Sequence, residues 1–291
     1  IPRTQLLLSP RIGWEQDLGY LIKLRASTGI YTGRIPFVWL SNCYQNNGLR
    51  SMSVTAKGET PAFSTEPESV GSKSNPSIDI VDRDFRYPQV WRTALSMEYR
   101  YKGLALALDA DYSKGLNNIF VENLVAQDNG AKVLFGGDDT TASAPHYDTN
   151  ISSYSAVYRL GNTNKGYSWS TTARMEYDFV GALHGLKFSA AYTYAQSKSV
   201  NDGFSAQSST NWGRTYAVDS NNPQLSNSVY EFPHKVVASL SYSRRYGQHG
   251  TNIMLLYNGH SGEHYSLTYA KGKVDINGDS YNGNSLIYIP T

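Results

Sequence analysis

The sequence predicts an all-β protein, and within that class part of an antiparallel transmembrane β-barrel. Three observations carry the prediction. Apolar and polar residues alternate over runs of about 9 to 13 residues, short and long connections follow one another in strict alternation, and aromatic residues gather at both ends of the runs. Side chains point to opposite faces along a strand, so each run has one greasy face and one polar face. Soluble strands usually extend over about five or six residues, whereas a tilted membrane strand needs about 9 to 11.

Taken in chain order, the first clear run sets Tyr20, Ile22, Leu24 and Ala26 against Leu21, Lys23, Arg25 and Ser27. In the second, Trp91, Leu95, Met97, Tyr99 and Tyr101 face one way and Arg92, Ser96, Glu98 and Arg100 the other. After Lys102-Gly103 the pattern resumes, with Leu104, Leu106, Leu108 and Tyr112 opposed to Ala105, Ala107, Asp109 and Asp111. Trp169, Ala173, Met175, Tyr177 and Phe179 then alternate with Ser170, Arg174, Glu176 and Asp178. Leu186 to Ala195 and Val236 to Ser243 repeat the period, and a weaker run surrounds Ile253, Leu255 and Tyr257. About eight strands are therefore expected.

Short turns are expected at 15–19, 102–103, 180–185 and 247–250, and long polar loops at 31–89, 115–166, 199–233 and 262–291. Every short turn then lies at one end and every long loop at the other, as periplasmic turns and exterior loops do in outer-membrane barrels. Trp14, Tyr20, Tyr99, Tyr101, Tyr177, Phe179, Tyr242 and Tyr246 are placed near the turn ends, and Trp91, Tyr112, Trp169, Tyr194 and Tyr257 near the loop ends. Two aromatic girdles around an aliphatic middle suit a surface that meets lipid. The assignment is thus lipid-facing for Trp91, Leu95, Met97, Tyr99, Leu104, Leu106, Leu108, Trp169 and Tyr177, and lumen-facing for Arg92, Glu98, Arg100, Asp109, Asp111, Arg174 and Glu176. Charges in such number need water or partners, and a wet lumen supplies both.

Composition narrows the function classes. Of 291 residues, 40% are hydrophobic and only 17% charged, and 23 are tyrosines. A net charge of +2 gives no reason to expect nucleic acid as a partner. Mean hydropathy is −0.45 and no apolar run approaches about 18 residues, so membrane-spanning helices are excluded while spanning strands are not. The single Cys43 excludes an internal disulfide framework and is expected to be a free thiol. The opening IPRTQLLLSP lacks a charged n-region and cleavage pattern, so no signal peptide is expected in it.

Motifs for chemistry are sparse. Asp275-x-Asn277-x-Asp279 resembles the start of a calcium loop, but the twelfth position is Leu286 instead of Glu and no helices flank it. A polar turn is the simpler reading, with a calcium-stabilised exterior loop as the alternative; no other cofactor is expected. His260, Glu263 and His264 lack the HExxH pattern of a zinc helix. No GxSxG elbow is present, and Asp138-Asp139 reads as a turn, so no catalytic residues are expected. Pro36, Phe37 and Trp39 form an apolar cluster just beyond a strand end, either an anchor for the first long loop or a wall of a ligand vestibule.

Two longer stretches carry a family resemblance. TGIYTGRIPFVWLSNCYQNNG, from Thr28 to Gly48, resembles a segment of TonB-dependent outer-membrane receptors of the Oar-like type, common in Bacteroidetes. VDINGDSYNGNSLIYIPT, from Val274 to Thr291, resembles a late-barrel loop of that family, and SPRIGWEQD, from Ser9 to Asp17, is more loosely similar to a strand entering a periplasmic turn. The resemblance implies a barrel of about 22 strands occluded by a plug and energised by the TonB complex. Residues 1–291 would then be a portion of one barrel domain, about a third of it, with the plug and TonB-contacting segment lying outside this sequence. It further implies residence in the bacterial outer membrane, exterior loops at the cell surface, uptake of a sizeable ligand such as a peptide or glycan, and a surface lipoprotein as a further partner. Two other classes fit the alternating runs: a surface adhesin or structural barrel without transport, and a soluble secreted glycan-binding β protein.

Overall fold

The computed structural model describes residues 3, 5–49, 54–56, 71–134, 143–149, 153–203, 205–269, 275–287 and 289. The first third contains β1 (Arg11–Leu18), β2 (Ile22–Thr32), helix α1 (Phe37–Gln45), β3 (Val54–Ala56), β4 (Gly71–Lys73), β5 (Ser77–Val81) and β6 (Gln89–Tyr101). Next come β7 (Leu104–Gly115), β8 (Asn118–Asn123), β9 (Gln127–Leu134), β10 (Ser143–Asp148), β11 (Ala156–Thr163) and β12 (Tyr167–Asp178). The remainder holds β13 (Leu186–Ser199), helix α2 (Ser208–Gly213), β14 (Ser226–Asn227), β15 (His234–Tyr246) and β16 (His249–His260). Neither helix is long and apolar enough to cross a membrane.

Eight long strands pair in chain order, β1-β2-β6-β7-β12-β13-β15-β16, as one antiparallel meander. β14 adds a short pairing to the loop end of β13. The all-β expectation and the eight strands are both met. The turn between β6 and β7 is Lys102-Gly103, with φ of 44° and 84°. Positive φ at both central residues is the turn geometry whose twist matches the strands it joins. A Cβ at Gly103 would also lie 2.7 Å from the Asp178 carbonyl oxygen, so glycine is required there twice over. The first turn occupies residues 19–21 instead of 15–19, because β1 continues through Glu15, Gln16 and Asp17 against Arg25, Leu24 and Lys23. Trp14 consequently lies opposite Ala26, which in turn lies opposite Leu95, inside the ladder and away from the turn end.

Register separates the two faces cleanly. Met97 sits opposite Leu24 and Leu108, Tyr99 opposite Ile22 and Leu106, and Tyr177 opposite Leu104 and Phe188. On the other face Glu98 is opposite Lys23, Ser96 opposite Arg25 and Asp109, and Asp109 also opposite Thr172. No second layer among the described residues covers the apolar face: Leu95, Leu108, Leu240 and Leu255 are all exposed, the last at 72%.

The buried core is elsewhere. Ile35, Trp39, Phe85, Val121, Ala126, Tyr147, Ala156, Tyr158, Leu160 and Trp212 pack together, and every one lies in a long connection. The long polar stretches are therefore folded parts of the structure, with strands and helices of their own. β11 pairs in parallel with β5 and antiparallel with β8, tying the second connection to the first. β9 pairs with β10, and β3 with β4. The third connection is tied in by several side chains, Trp39, Asn42, Tyr147 and Lys165 among them, and most extensively by Asn221. Its Oδ1 accepts from the Asn123 backbone N–H and the Trp212 indole, both at 2.9 Å, while its Nδ2 donates to the carbonyls of Asn123 and Ala126.

Truncating Trp212, which is 1% exposed, is expected to cost about 3–5 kcal/mol of loop-core stability. Trp212→Ala should open the loops to protease while heat-modifiable gel mobility of the strand ladder stays intact. Loss of both together would show that the core and the ladder fold as one unit.

Candidate functional site

All seven residues assigned to the lumen lie on the charged face of the sheet, and all nine assigned to lipid lie on the apolar face. The charged face divides into two zones. Towards the turns, Glu98, Arg100, Arg174 and Glu176 line a depression of about 150 Å³. Ion pairs cross it from strand to strand. Glu15 meets Lys23 and Arg25 at 2.9 Å each, Arg25 reaches Glu98 at 3.5 Å, and Glu98 pairs with Arg100. Arg174 meets Asp109 at 2.9 Å, and Lys187 meets Glu176 at 3.0 Å. Glu15 and Arg25 are directly opposed, with Cβ atoms about 5 Å apart, and the other cross-strand pairs are diagonal neighbours about 7–8 Å apart, a span that long side chains bridge.

Towards the loops the same face hollows into a space of about 600 Å³. Tyr31, Arg92, Asp111, Glu231, Phe232 and Lys235 are among its lining residues. The guanidinium groups of Arg11 and Arg92 lie 4.2 and 5.8 Å from the Tyr31 ring centroid, on aromatic surface that attracts cations. Glu231 is held from below: the Ser197 N–H donates to its Oε2 at 2.5 Å, and His264 Nε2 is 2.9 Å from its Oε1. Both cationic and anionic side chains thus reach one polar, aromatic-rimmed space. Glu231, Phe232 and Lys235 were not distinguished by the sequence patterns, because they sit where a long connection re-enters the ladder.

Pro36, Phe37 and Trp39 part company in the structure. Pro36 opens α1, whose chain the apolar cluster did not announce as helical; its fixed φ, here −55°, suits a helix start. Trp39 turns inward, 7% exposed, and its indole donates to the Ser205 carbonyl at 2.8 Å. Asn42, one helical turn on, donates to the Ala206 carbonyl at 2.7 Å. Phe37 points away and is exposed, so Trp39 alone of the three anchors the first connection.

Beside α1 lies a second hollow of about 690 Å³, lined in part by Leu40, Cys43, Tyr44, Asp79, Phe85 and Tyr87. Cys43 is a free thiol, as expected, and its Sγ lies 3.4 Å from the Trp39 carbonyl. Burial, with the Asp79 charge adding to it, pushes the thiol up to about 11. In the core nearby, burial and then the Asp219 carboxylate hold the Tyr147 hydroxyl well above the usual tyrosine range; that hydroxyl donates to Asp219 Oδ1 at 2.6 Å.

The Asp275, Asn277 and Asp279 turn is buried in part: Asn277 and Asp279 are inaccessible, while Asp275 stays at the surface. Asp275 accepts the backbone N–H groups of Asp279 and Ser280. Burial raises Asp279 above the usual carboxylate range, opposed by hydrogen bonds from Asn284, Tyr281 and Asn277. His260 and His264 do not converge. His260 stacks edge-on against Phe232 at 4.7 Å, whereas His264 faces Glu231. Among the described residues no three His, Cys, Asp or Glu side chains gather as a metal cluster. Asp138-Asp139 lies outside the described residues.

This architecture, an antiparallel meander of long strands with short turns at one end and folded connections at the other, is that of an outer-membrane β-barrel wall. Among solved structures, the chain is similar to the outer membrane transporter YddB from Escherichia coli, with a TM-score of 0.50 and 11% identity over 91% of this chain and 30% of that one. It also aligns with the siderophore receptor PirA from Pseudomonas aeruginosa, at a TM-score of 0.38 and 14% identity over 86% and 33% of the two chains. The ferric enterobactin receptor PfeA from the same organism gives a TM-score of 0.43 and 14% identity over 80% and 25%. The chain thus spans a third or less of the length of these proteins. No protein-family model matches the chain, and no curated protein does.

Thiolate is the reactive form of cysteine, and with its pKa at about 11 only about one Cys43 in a thousand is ionised at pH 8. Maleimide labelling of the folded protein at pH 8 should be slower than labelling of the denatured chain by on the order of a hundredfold. Equal rates in the two states would contradict the burial described here.

Proposed function

We propose that this chain is a section of the β-barrel of a TonB-dependent active transporter in the bacterial outer membrane. The observation that carries the reading is the unequal treatment of the two sheet faces. The apolar face exposes Leu95, Met97, Leu106 and Leu108 with no layer over them among the described residues, and an apolar surface of that extent calls for lipid. The charged face keeps its ion pairs and its hollow in water. Likeness in fold to an outer membrane transporter supports the same reading.

In this proposal Trp91, Trp169, Tyr112 and Tyr194 form the girdle at the outer leaflet. Trp91 and Tyr112 meet edge to face at 6.0 Å, and Trp169 and Tyr194 at 5.3 Å. The connections form a surface-exposed cap, and the ligand is sizeable, a peptide or glycan, met by the polar and aromatic residues around Tyr31, Arg92, Asp111 and Lys235. Arg92, Glu98, Arg100, Arg174 and Glu176 line the route inward. A plug and TonB-contacting segment elsewhere in the protein would supply energy coupling, a surface lipoprotein would assist capture, and the chain itself performs no covalent chemistry.

Two measurements test this. Leu106→Arg should impair insertion into lipid bilayers by about 2–4 kcal/mol, whereas Ala107→Arg, one residue on and on the charged face, should insert normally. Equal effects would refute the facing. For transport, cells expressing the full-length protein should accumulate labelled oligopeptide or oligosaccharide only when TonB and the proton gradient are intact. Ligand retention at the surface that is indifferent to both would identify an adhesin instead.

A further inference from the structure

The turn after β16 contains the least satisfied polar group cluster among the described residues. Asn277, Asn284 and Ser285 are each more than nine-tenths buried, and the side-chain oxygens Asn277 Oδ1, Asn284 Oδ1 and Ser285 Oγ have no hydrogen-bond partner. Buried polar atoms without partners are costly and rare in folded proteins. Here three occur within nine residues of one turn.

The arrangement of the two asparagines follows from Asp279, which is 1% exposed. The Asn277 and Asn284 amides both donate to its Oδ2, at 3.2 and 2.7 Å. Each amide can offer the carboxylate either its N–H or its oxygen. Offering N–H satisfies Asp279 and strands both amide oxygens. Offering oxygen would bring three oxygens together with no proton between them, a repulsive cluster unless a cation occupies the centre. A cation bound to the amide oxygens would give them the partner they lack and offset the buried negative charge.

We propose that the turn from Asp275 to Ser285 binds one calcium ion through side-chain oxygens of Asn277, Asp279, Asn284 and Ser285, with Asp275 supplying the second negative charge. The donor set selects the ion. It consists of oxygen alone, with amides and a hydroxyl beside one buried carboxylate, which suits a hard cation with six to eight flexible ligands. Zinc sites draw on histidine and cysteine instead, and magnesium demands tighter octahedral geometry and retains more of its water.

The surrounding fold holds the turn in place without the ion. The Tyr147 N–H donates to the Asn277 carbonyl at 2.7 Å, and Ser280 Oγ lies 2.7 Å from Thr149 Oγ1. Tyr281 packs against the loop core. Gly278, with φ of +73°, passes so close to β10 that a Cβ there would lie 2.5 Å from the Tyr147 carbonyl oxygen. Calcium would thus lock the last described connection onto the shared core. This inference rests on the loop geometry and is independent of the transport reading.

The test uses the full-length protein in detergent, stripped with EDTA. Titration with Tb³⁺ should produce tyrosine-sensitised emission, with Tyr147 and Tyr281 close by, and Ca²⁺ should displace it with a dissociation constant of about 10⁻⁴–10⁻³ M, as in extracellular calcium modules. Asp279→Asn should weaken Ca²⁺ competition at least about tenfold, since ligand charge sets affinity. Asn284→Asp, which adds a carboxylate, should tighten it and make loop protection from protease depend on Ca²⁺. Absence of a Ca²⁺-displaceable signal in the wild type would overturn the proposal. So would unchanged competition in both variants, which would place the ion elsewhere in the protein; if Asp279→Asn fails to fold, an unchanged Asn284→Asp is sufficient to reject it.

Discussion

The structure depends on one constraint: the backbone of the long strands is satisfied edge to edge by their own ladder, on both edges of the six inner strands and on one edge of β1 and β16. Backbone N–H and C=O groups between paired strands therefore need neither water nor a covering layer. Side chains are then free to serve two different surroundings. One face carries Leu95, Met97, Leu106 and Leu108; the other carries Glu98, Asp109, Arg174 and Glu176. A soluble sandwich would have to fold the first set against something. Here the compact core has moved into the connections, which in most β proteins are its least structured parts.

That displacement explains what the sequence revealed and what it concealed. Period-two alternation is a local property, so the strands from Gln89 to Gly115 and from Tyr167 to Ser199 were legible residue by residue. Lys102-Gly103 was legible for the same reason, since the turn chemistry resides in two adjacent residues. The first turn was misplaced because Glu15 and Asp17 look like turn residues, yet they continue β1 by pairing with Arg25 and Lys23. The loop core was hidden because it draws single residues from distant places: Trp39, Phe85, Tyr158, Trp212. Trp39 sits in an apolar cluster, Phe85 between charged residues and Trp212 among Ser, Asn and Gly, so no local window shows that these positions share one core. Helix α1 was hidden likewise, for its aromatic and polar run has neither a clear amphipathic stripe nor a side-chain cap.

The charged and apolar faces contribute differently to stability. Ion pairs such as Arg25–Glu15 and Lys187–Glu176 are largely exposed, and solvent-screened pairs of that kind contribute little to stability. Their importance lies in neutralisation. Acids and bases alternate across β1, β2, β6, β12 and β13, so the face is richly charged without a strong net field. The hollow nearer the loops keeps this balance but adds aromatic surface, bringing Arg92, Lys235 and the Tyr31 ring together with Asp111 and Glu231. Alternation alone marked Arg92 and Asp111; the contributions of Glu231 and Lys235 required the fold.

Asn221 gives this arrangement a lasting consequence for how the molecule varies. Three hydrogen bonds from one amide join the second and third connections and a fourth holds Trp212 within the third, while Trp39 and Asn42 bind the first to the third. In many barrels a loop is a replaceable accessory, lengthened or exchanged with little effect on its neighbours. In this chain a transplanted loop would arrive without its share of a common interior. Diversification under selection would therefore favour substitutions at exposed tips, and inheritance of the three connections as a single block.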